Sequence, residues 1–379
     1  MTPRTRCSPS KGKRRRQVRD KITFSQLMVT AFVGLLSPVI RLLPWASVRL
    51  SGGAAPLAAI PAMAMSALYI YIVYAIVKRR AGVPPLPDPA RGGVQVAVAK
   101  LLCAALALWL TAYTAFTLRS GAERMVACVY TGDRVWVFST VMAALAAFAA
   151  SGGIQALAGA GRVMGIILTA VLVLLCLFAI PEVKPERFLP VTAQDAGNIL
   201  PAAVPIFNVV SAGVYFLLLL GDVDRKTASP KTALAAAGGV ALVSFAVIAV
   251  TVGAFSAPVT EKLQFPFFVL IRNIKVFKII ERFEALVIAM WIGADFVLLS
   301  GLLFIIRRLF AAITGRDSRM TPVIAAAVAN GAGMLLWDSN FAVNNSSRYT
   351  IPALNLFFAV FAVPMLLLIK NLKKYEKRY

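Results

Sequence analysis

Two charged residues lie where the sequence is otherwise apolar. Arg41 sits in the run FVGLLSPVIRLLPW (32–45) and Asp295 in ALVIAMWIGADFVLLSGLL (285–303). A charge in hydrocarbon costs nominally ~2.5–3.5 kcal/mol on insertion scales and persists where it meets a partner or a cavity. The expected arrangement is an ion pair between Arg41 and Asp295 in a cavity wall. The alternative has Arg41 reaching the interface along its own stem and Asp295 meeting water or backbone.

The first run holds a second kind of chemistry. Pro38 follows Ser37, removes a backbone donor and crowds the preceding turn. A similar interruption recurs in PAAVPIFNVVSAG (201–213), with Pro201, Pro205, Asn208, Ser211 and Gly213. In hydrocarbon a helix is broken only where protein or a water-lined cavity takes over the freed hydrogen bonds. Paired interruptions in two halves of a chain therefore point to a small-molecule site. The expected ligand-binding set is Ser37, Pro38, Val39 and Ile40 from the first run, with Phe207, Asn208, Val210 and Ser211 from the second. Helix amino ends there would attract a carboxylate and free carbonyls an ammonium. Asn208 and Ser211 could add side-chain bonds; their alternative role is to join helices to one another.

Other chemistry is not encoded. There is no nucleophile–base set, phosphate loop or suitably spaced carboxylate pair, so no catalytic residue and no enzyme is expected. Histidine is absent, and Cys7, Cys103, Cys128 and Cys176 are scattered without CxxC spacing. No metal, cofactor or disulfide is expected from such a set.

The elements that must hold these residues are membrane helices. The chain has 379 residues, 59% of them hydrophobic, with mean hydropathy +0.78. A soluble chain would be about 45–50% apolar, and many runs reach the ~20 apolar residues that cross a bilayer. Ten spans are expected: Phe24–Val48, Ala54–Val77, Val94–Leu118, Val135–Ser151, Val163–Ile180, Ile199–Leu220, Thr232–Phe255, Glu284–Ile306, Thr321–Trp337 and Ile351–Ile369. This makes the chain an all-α polytopic membrane protein, with a basic tail at 1–22, a transmembrane domain at 23–370 and a second basic tail at 371–379.

The net charge of +24 follows topology rather than nucleic-acid binding. Of the 40 Lys and Arg, 26 fall on the side shared by both termini and 12 on the other. That bias puts both termini in the cytoplasm. The basic start lacks a small-residue cleavage pattern and reads as a cytoplasmic tail, not a signal peptide. Pro84–Pro89 reads as a stiff linker. Phe265–Ile280 is apolar on one face and carries Arg272, Lys275 and Lys278. It reads as an outer-surface helix lying in the interface or capping the pathway.

The stretch from Gln264 to Ile306, with Ile280-Glu281-Arg282-Phe283-Glu284-Ala285 leading into Trp291, resembles the permease-like B subunits of spore germinant receptors (the GerAB type). The start, Ile22-Thr23-Phe24-Ser25-Gln26-Leu27 through Leu42-Leu43-Pro44, resembles that family too, as does Phe188-Leu189-Pro190 ahead of the sixth span. The resemblance implies the amino acid–polyamine–organocation superfamily and its LeuT-like fold of two inverted five-helix repeats with broken helices 1 and 6. In that fold the first and eighth spans are neighbours, which favours the Arg41–Asp295 pair. The guanidinium would then stand where sodium-coupled relatives hold a cation.

The resemblance also implies a multi-pass protein of the bacterial cell membrane or spore inner membrane. It would bind a small nutrient, typically an amino acid, and trigger germination with A and C partner subunits. A proton- or cation-coupled amino-acid transporter and a ligand-free scaffold subunit are the alternatives. Ala212-Gly213 stands where the family tends to carry Gly-Glu, and Ser37-Pro38 where it tends to carry Gly-Ser.

Overall fold

Thr23 starts the first membrane helix. Its hydroxyl accepts from the Gln26 amide at 3.2 Å, and the Gln26 side chain accepts from the Thr23 amide at 2.8 Å. This reciprocal cap satisfies two amides that a helix start leaves without partners. In the computed structural model, which describes residues 21–79, 85–88, 93–129, 134–189, 191–274 and 283–369, ten apolar helical segments follow in chain order. They are α1 (Phe24–Ser51), α2 (Ala59–Arg79), α3 (Val94–Cys128), α4 (Val135–Ser151), α5 (Ile154–Ala179), α6 (Ile199–Ala212), α7 (Pro230–Phe255), α8 (Glu284–Thr314), α9 (Thr321–Leu336) and α10 (Thr350–Phe357). A tighter 3₁₀ stretch, Gly213–Asp222, extends α6, and a π-turn at Phe358–Ala362 leads α10 into Val363–Leu368. No strand forms among the described residues beyond one isolated bridge.

The apolar periodicity is two-sided, as a bilayer requires. Leu101, Leu108, Phe148, Ile166 and Leu335 point outward and are exposed, while Val33, Leu36, Leu106, Leu110, Leu302 and Leu303 are buried. An outward surface this apolar is a membrane-facing one. Small residues let helices approach closely inside the bundle. On α5, a Cβ at Gly161 would sit 2.3 Å from the Thr30 hydroxyl of α1. On α1 itself, a Cβ at Gly34 would sit 3.1 Å from the Leu298 backbone of α8. Helix α1 thus lies at the centre, packed against α5, α6, α7 and α8.

The expected interruptions take a different form. Helix α1 runs through Ser37–Pro38 and Pro44 as one helical element, so the free backbone expected at Ser37–Ile40 is not there. Pro38 removes a single amide, and the buried setting lets neighbouring helices and small local adjustments absorb that loss. In the sixth span the change comes at Gly213, five residues beyond Asn208, and is a switch from α to 3₁₀ winding rather than an unwound gap. Mid-helix 3₁₀ winding marks a hinge or a strained stretch.

The segment read as an outer-surface helix forms Pro266–Asn273, and its apolar face is packed inward: Phe267 is buried, and the Phe268 ring stacks on Trp291 at 5.5 Å between centroids. It packs against α1, α7 and α8. Lys275, Lys278, Ile280, Glu281 and Arg282 lie outside the described residues, as do residues 1–20, 370–379, Pro84, Pro89 and Pro190.

Polar contacts tie the two ends of the bundle. At the end where α1 begins, Ile22 pairs with Val223, the Ile22 amide donating to Asp222 O at 3.1 Å and the Asp224 amide to Ile22 O at 2.8 Å. Arg308 of α8 grips the Asp222 carboxylate with two of its nitrogens and reaches Asp317 at 3.2 Å. At the opposite end, Arg119 donates to Trp337 O at 2.8 Å and pairs with Glu123 at 2.7 Å. Trp45 there lies under Arg348, 4.5 Å from its ring centroid, and Arg49 donates to the Tyr349 hydroxyl at 3.3 Å. That bond and the Arg49 charge hold the Tyr349 hydroxyl below the ordinary phenol range.

Candidate functional site

Between these two ends, α1, α3, α6, α8 and α10 enclose a cavity of about 50 Å³. Its wall includes Ser37, Pro38, Arg41, Asn208 and Asp295 from the sequence reading, together with Tyr113, Ser120, Arg124 and Asn355. Space for one water takes roughly 10–15 Å³ by this measure, so the cavity accommodates a few waters or a compact solute.

Its charges are arranged differently from the expected pair. Asp295 is bonded by Arg124 of α3, not by Arg41. Arg124 is 2% exposed and Asp295 5%, so this is a desolvated ion pair. Arg124 also donates to the Ser37 hydroxyl at 3.0 Å and lies 5.3 Å from the Trp291 ring centroid. Arg41 turns to the Ser120 hydroxyl instead, with its guanidinium 5.7 Å from the Phe116 ring centroid. The physical reason is reach. Helix α3 continues ten residues past the expected end of its span and carries Ser120 and Arg124 into the bundle, where Arg124 meets Asp295 directly. Gly121 permits the approach, since a Cβ there would lie 3.2 Å from Asp295 Oδ2. The buried Nε atoms of Arg41 and Arg124 find no acceptor among the described residues.

The opposite wall is a closed amide network. Asn208 Nδ2 donates to Pro352 O at 2.9 Å. Asn355 Nδ2 donates to Asn208 Oδ1 at 2.6 Å, and the Tyr215 hydroxyl donates to Asn355 Oδ1 at 3.1 Å. Trp109 Nε1 donates in turn to Tyr215 at 2.9 Å. Tyr215 is therefore a polar member of this chain. Asn208 both lines the cavity and joins α6 to α10.

The remaining expected residues are not brought to the cavity. Val39 and Ile40 are fully buried in apolar clusters on other faces of α1. Val210 faces a separate apolar pocket of about 110 Å³ among α1, α2, α6 and α7. Phe207 meets Tyr69 edge-on at 5.8 Å, and Ser211 donates to Asn208 O at 2.8 Å within its own helix. The sequence reading missed Ser120, Arg124 and Asn355. A signal for the first two was present: Arg119 and Glu123 stand four apart, the spacing of a helical ion pair, with no helix-breaking proline between them.

A multi-pass bundle with a cavity lined by charged residues fits many membrane proteins, and the match of residues 21–342 to the spore germination protein family decides among them. The chain belongs to that family. No curated protein matches it. Among solved structures, this spore germination family member is similar to a Na⁺-coupled sialic acid symporter in a substrate-bound outward-open state. The two are 14% identical with a TM-score of 0.63, over 94% of this chain and 80% of that one. At that identity the likeness shows the fold, which is LeuT-like. Family and fold together make the chain a permease-like integral membrane protein rather than an enzyme.

Proposed function

We propose that this family member is the ligand-sensing B subunit of a spore germinant receptor, which binds a small nutrient in the cavity and signals germination through A and C partner subunits. The observation that carries the reading is the cavity lined by Arg41, Arg124 and Asp295 inside a family tied to spore germination. Charges are kept at membrane depth where they serve a ligand or an ion path. Ser37, Pro38 and Asn208, with Arg41, are the residues of the sequence reading that would meet the nutrient. An amino acid is the class the family resemblance implies. The bundle would sit in the spore inner membrane with both termini cytoplasmic, and lipid would cover its apolar exterior. The bias of Lys and Arg toward the side of both termini in the sequence supports that orientation. A ligand shifts such a bundle only by binding its two states with different affinity, and the 3₁₀ stretch after α6 is the natural place for the two to differ.

The fold likeness to a Na⁺-coupled symporter favours one competing reading, a coupled transporter. Purified protein in liposomes separates the two. Saturable binding of a labelled nutrient pool without gradient-driven accumulation is the result expected of a sensor. Accumulation driven by an inward proton or sodium gradient would replace the receptor reading with transport. Neither signal from folded protein would leave a scaffold subunit.

A further inference from the structure

We infer that the cavity selects a small carboxylate that binds as a net anion, rather than a zwitterionic amino acid. This rests on the cavity being the ligand site proposed above and narrows the class of ligand it takes.

Two guanidiniums line the cavity, Arg41 and Arg124, against one carboxylate among the described residues, Asp295. Arg124 already holds Asp295. Arg41 bonds only to a neutral hydroxyl, Ser120, and no carboxylate among the described residues lies within ion-pair distance of it. Arg41 is thus left without a counter-charge among the described residues. An anionic ligand brings the cluster to neutrality, whereas a zwitterion leaves the surplus in place, and desolvated surplus charge is what such a site tolerates least. Guanidinium forks also match carboxylate geometry, and the unmatched Nε of Arg41 offers a further donor.

An ammonium group is offered much less. Asp295 is outnumbered two to one by guanidiniums. The amide oxygens of Asn208 and Asn355 are engaged by Asn355 Nδ2 and the Tyr215 hydroxyl. Helix α1 runs unbroken past Ser37, so it frees no row of carbonyls for a cation.

The test is direct binding to the purified full-length chain in nanodiscs, read by calorimetry, with a three-carbon series: propionate, L-lactate, L-alanine and propylammonium, plus chloride as competitor. The expected order is propionate and lactate at least tenfold tighter than alanine, with propylammonium not binding. Chloride at tenfold excess should displace neither acid. Arg41→Gln should weaken propionate by roughly 10–100-fold, the loss of one charge-assisted contact, and Arg41→Lys should recover part of it. The wild-type series decides by itself if the Gln variant does not fold. Alanine binding as tightly as propionate overturns the inference and leaves the sensor reading standing. Chloride displacing propionate at equal concentration reduces the site to a general anion site and overturns it as well. No binding of either acid by folded protein also overturns it. Propionate binding by a chain that never acts in germination would uphold the inference and sink the sensor reading.

Discussion

Asp295→Asn isolates the energetics of the buried charge cluster. The substitution keeps the size of the side chain and removes its charge, leaving Arg124 at 2% exposure without a counter-ion and Arg41 nearby with none. Breaking a buried pair by removing one partner costs about 3–5 kcal/mol, because the surviving charge remains desolvated. For a chain of this size 1 kcal/mol shifts the melting temperature by roughly 1–2 °C, extrapolating from smaller domains, so a fall of about 3–10 °C is expected. Replacing both partners, Asp295→Leu with Arg124→Met, should return most of the loss, since an apolar pair of similar volume is often as stable as the ion pair. Arg41→Met with Asp295→Leu should not, because Arg124 would still be stranded. Thermal unfolding of these three variants and the wild-type chain in one detergent measures all of this. A drop below 2 °C for Asp295→Asn, or equal rescue by either double variant, would refute the assignment of Arg124 as the partner.

The other expectations follow from separate parts of the bundle. Arg41→Met alone should leave stability unchanged or slightly raised by thermal melting, since it deletes the unbalanced charge at the cost of one bond to Ser120. Asn355→Ala should cost about 1–3 kcal/mol in chemical unfolding by leaving Asn208 and Tyr215 short of partners, and should be non-additive with Asn208→Ala. Gly53→Ala should destabilise by at least ~1–3 kcal/mol in the same assay, because its Cβ would lie 2.0 Å from the Phe188 carbonyl oxygen, which is backbone and cannot turn away. Arg308→Gln, at a partly exposed pair, should cost only ~1 kcal/mol, yet hydrogen exchange should quicken at the amides of Ile22 and Asp224.

Hydrophobic periodicity made the bundle legible, and its errors have a common cause. Val135–Ser151 was read to the residue, and the nine other spans begin or end within a few residues of the observed helices. The third and fifth spans were cut short at charges. Helix α3 continues through Arg119, Glu123 and Arg124, and α5 begins before Arg162, because a charge ends an apolar run without ending a helix. That misreading hid the partner of Asp295. It placed Arg124 in an outer loop and left Arg41 as the sole visible cation. Pro38 misled in the opposite sense, since a proline signals a missing donor but not whether a packed bundle absorbs it. Asn208 was found because amides are scarce in apolar runs. Asn355, equally scarce, drew no attention without a break beside it.

The backbone bridge between Ile22 and Val223 gives the bundle a mechanical property. Its two hydrogen bonds face opposite directions across one residue, and a third, from the Phe24 amide to the Thr227 hydroxyl at 2.9 Å, follows immediately. Tension reaching Lys21 along the chain that precedes it is shared by all three, as a lap joint shares load, instead of opening them one at a time. The force then passes into Asp222 and through its Arg308 clamp to α8. The start of α1 and the exit of the sixth span are thus joined to each other and to α8, so a displacement of one is resisted by bonds to both of the others.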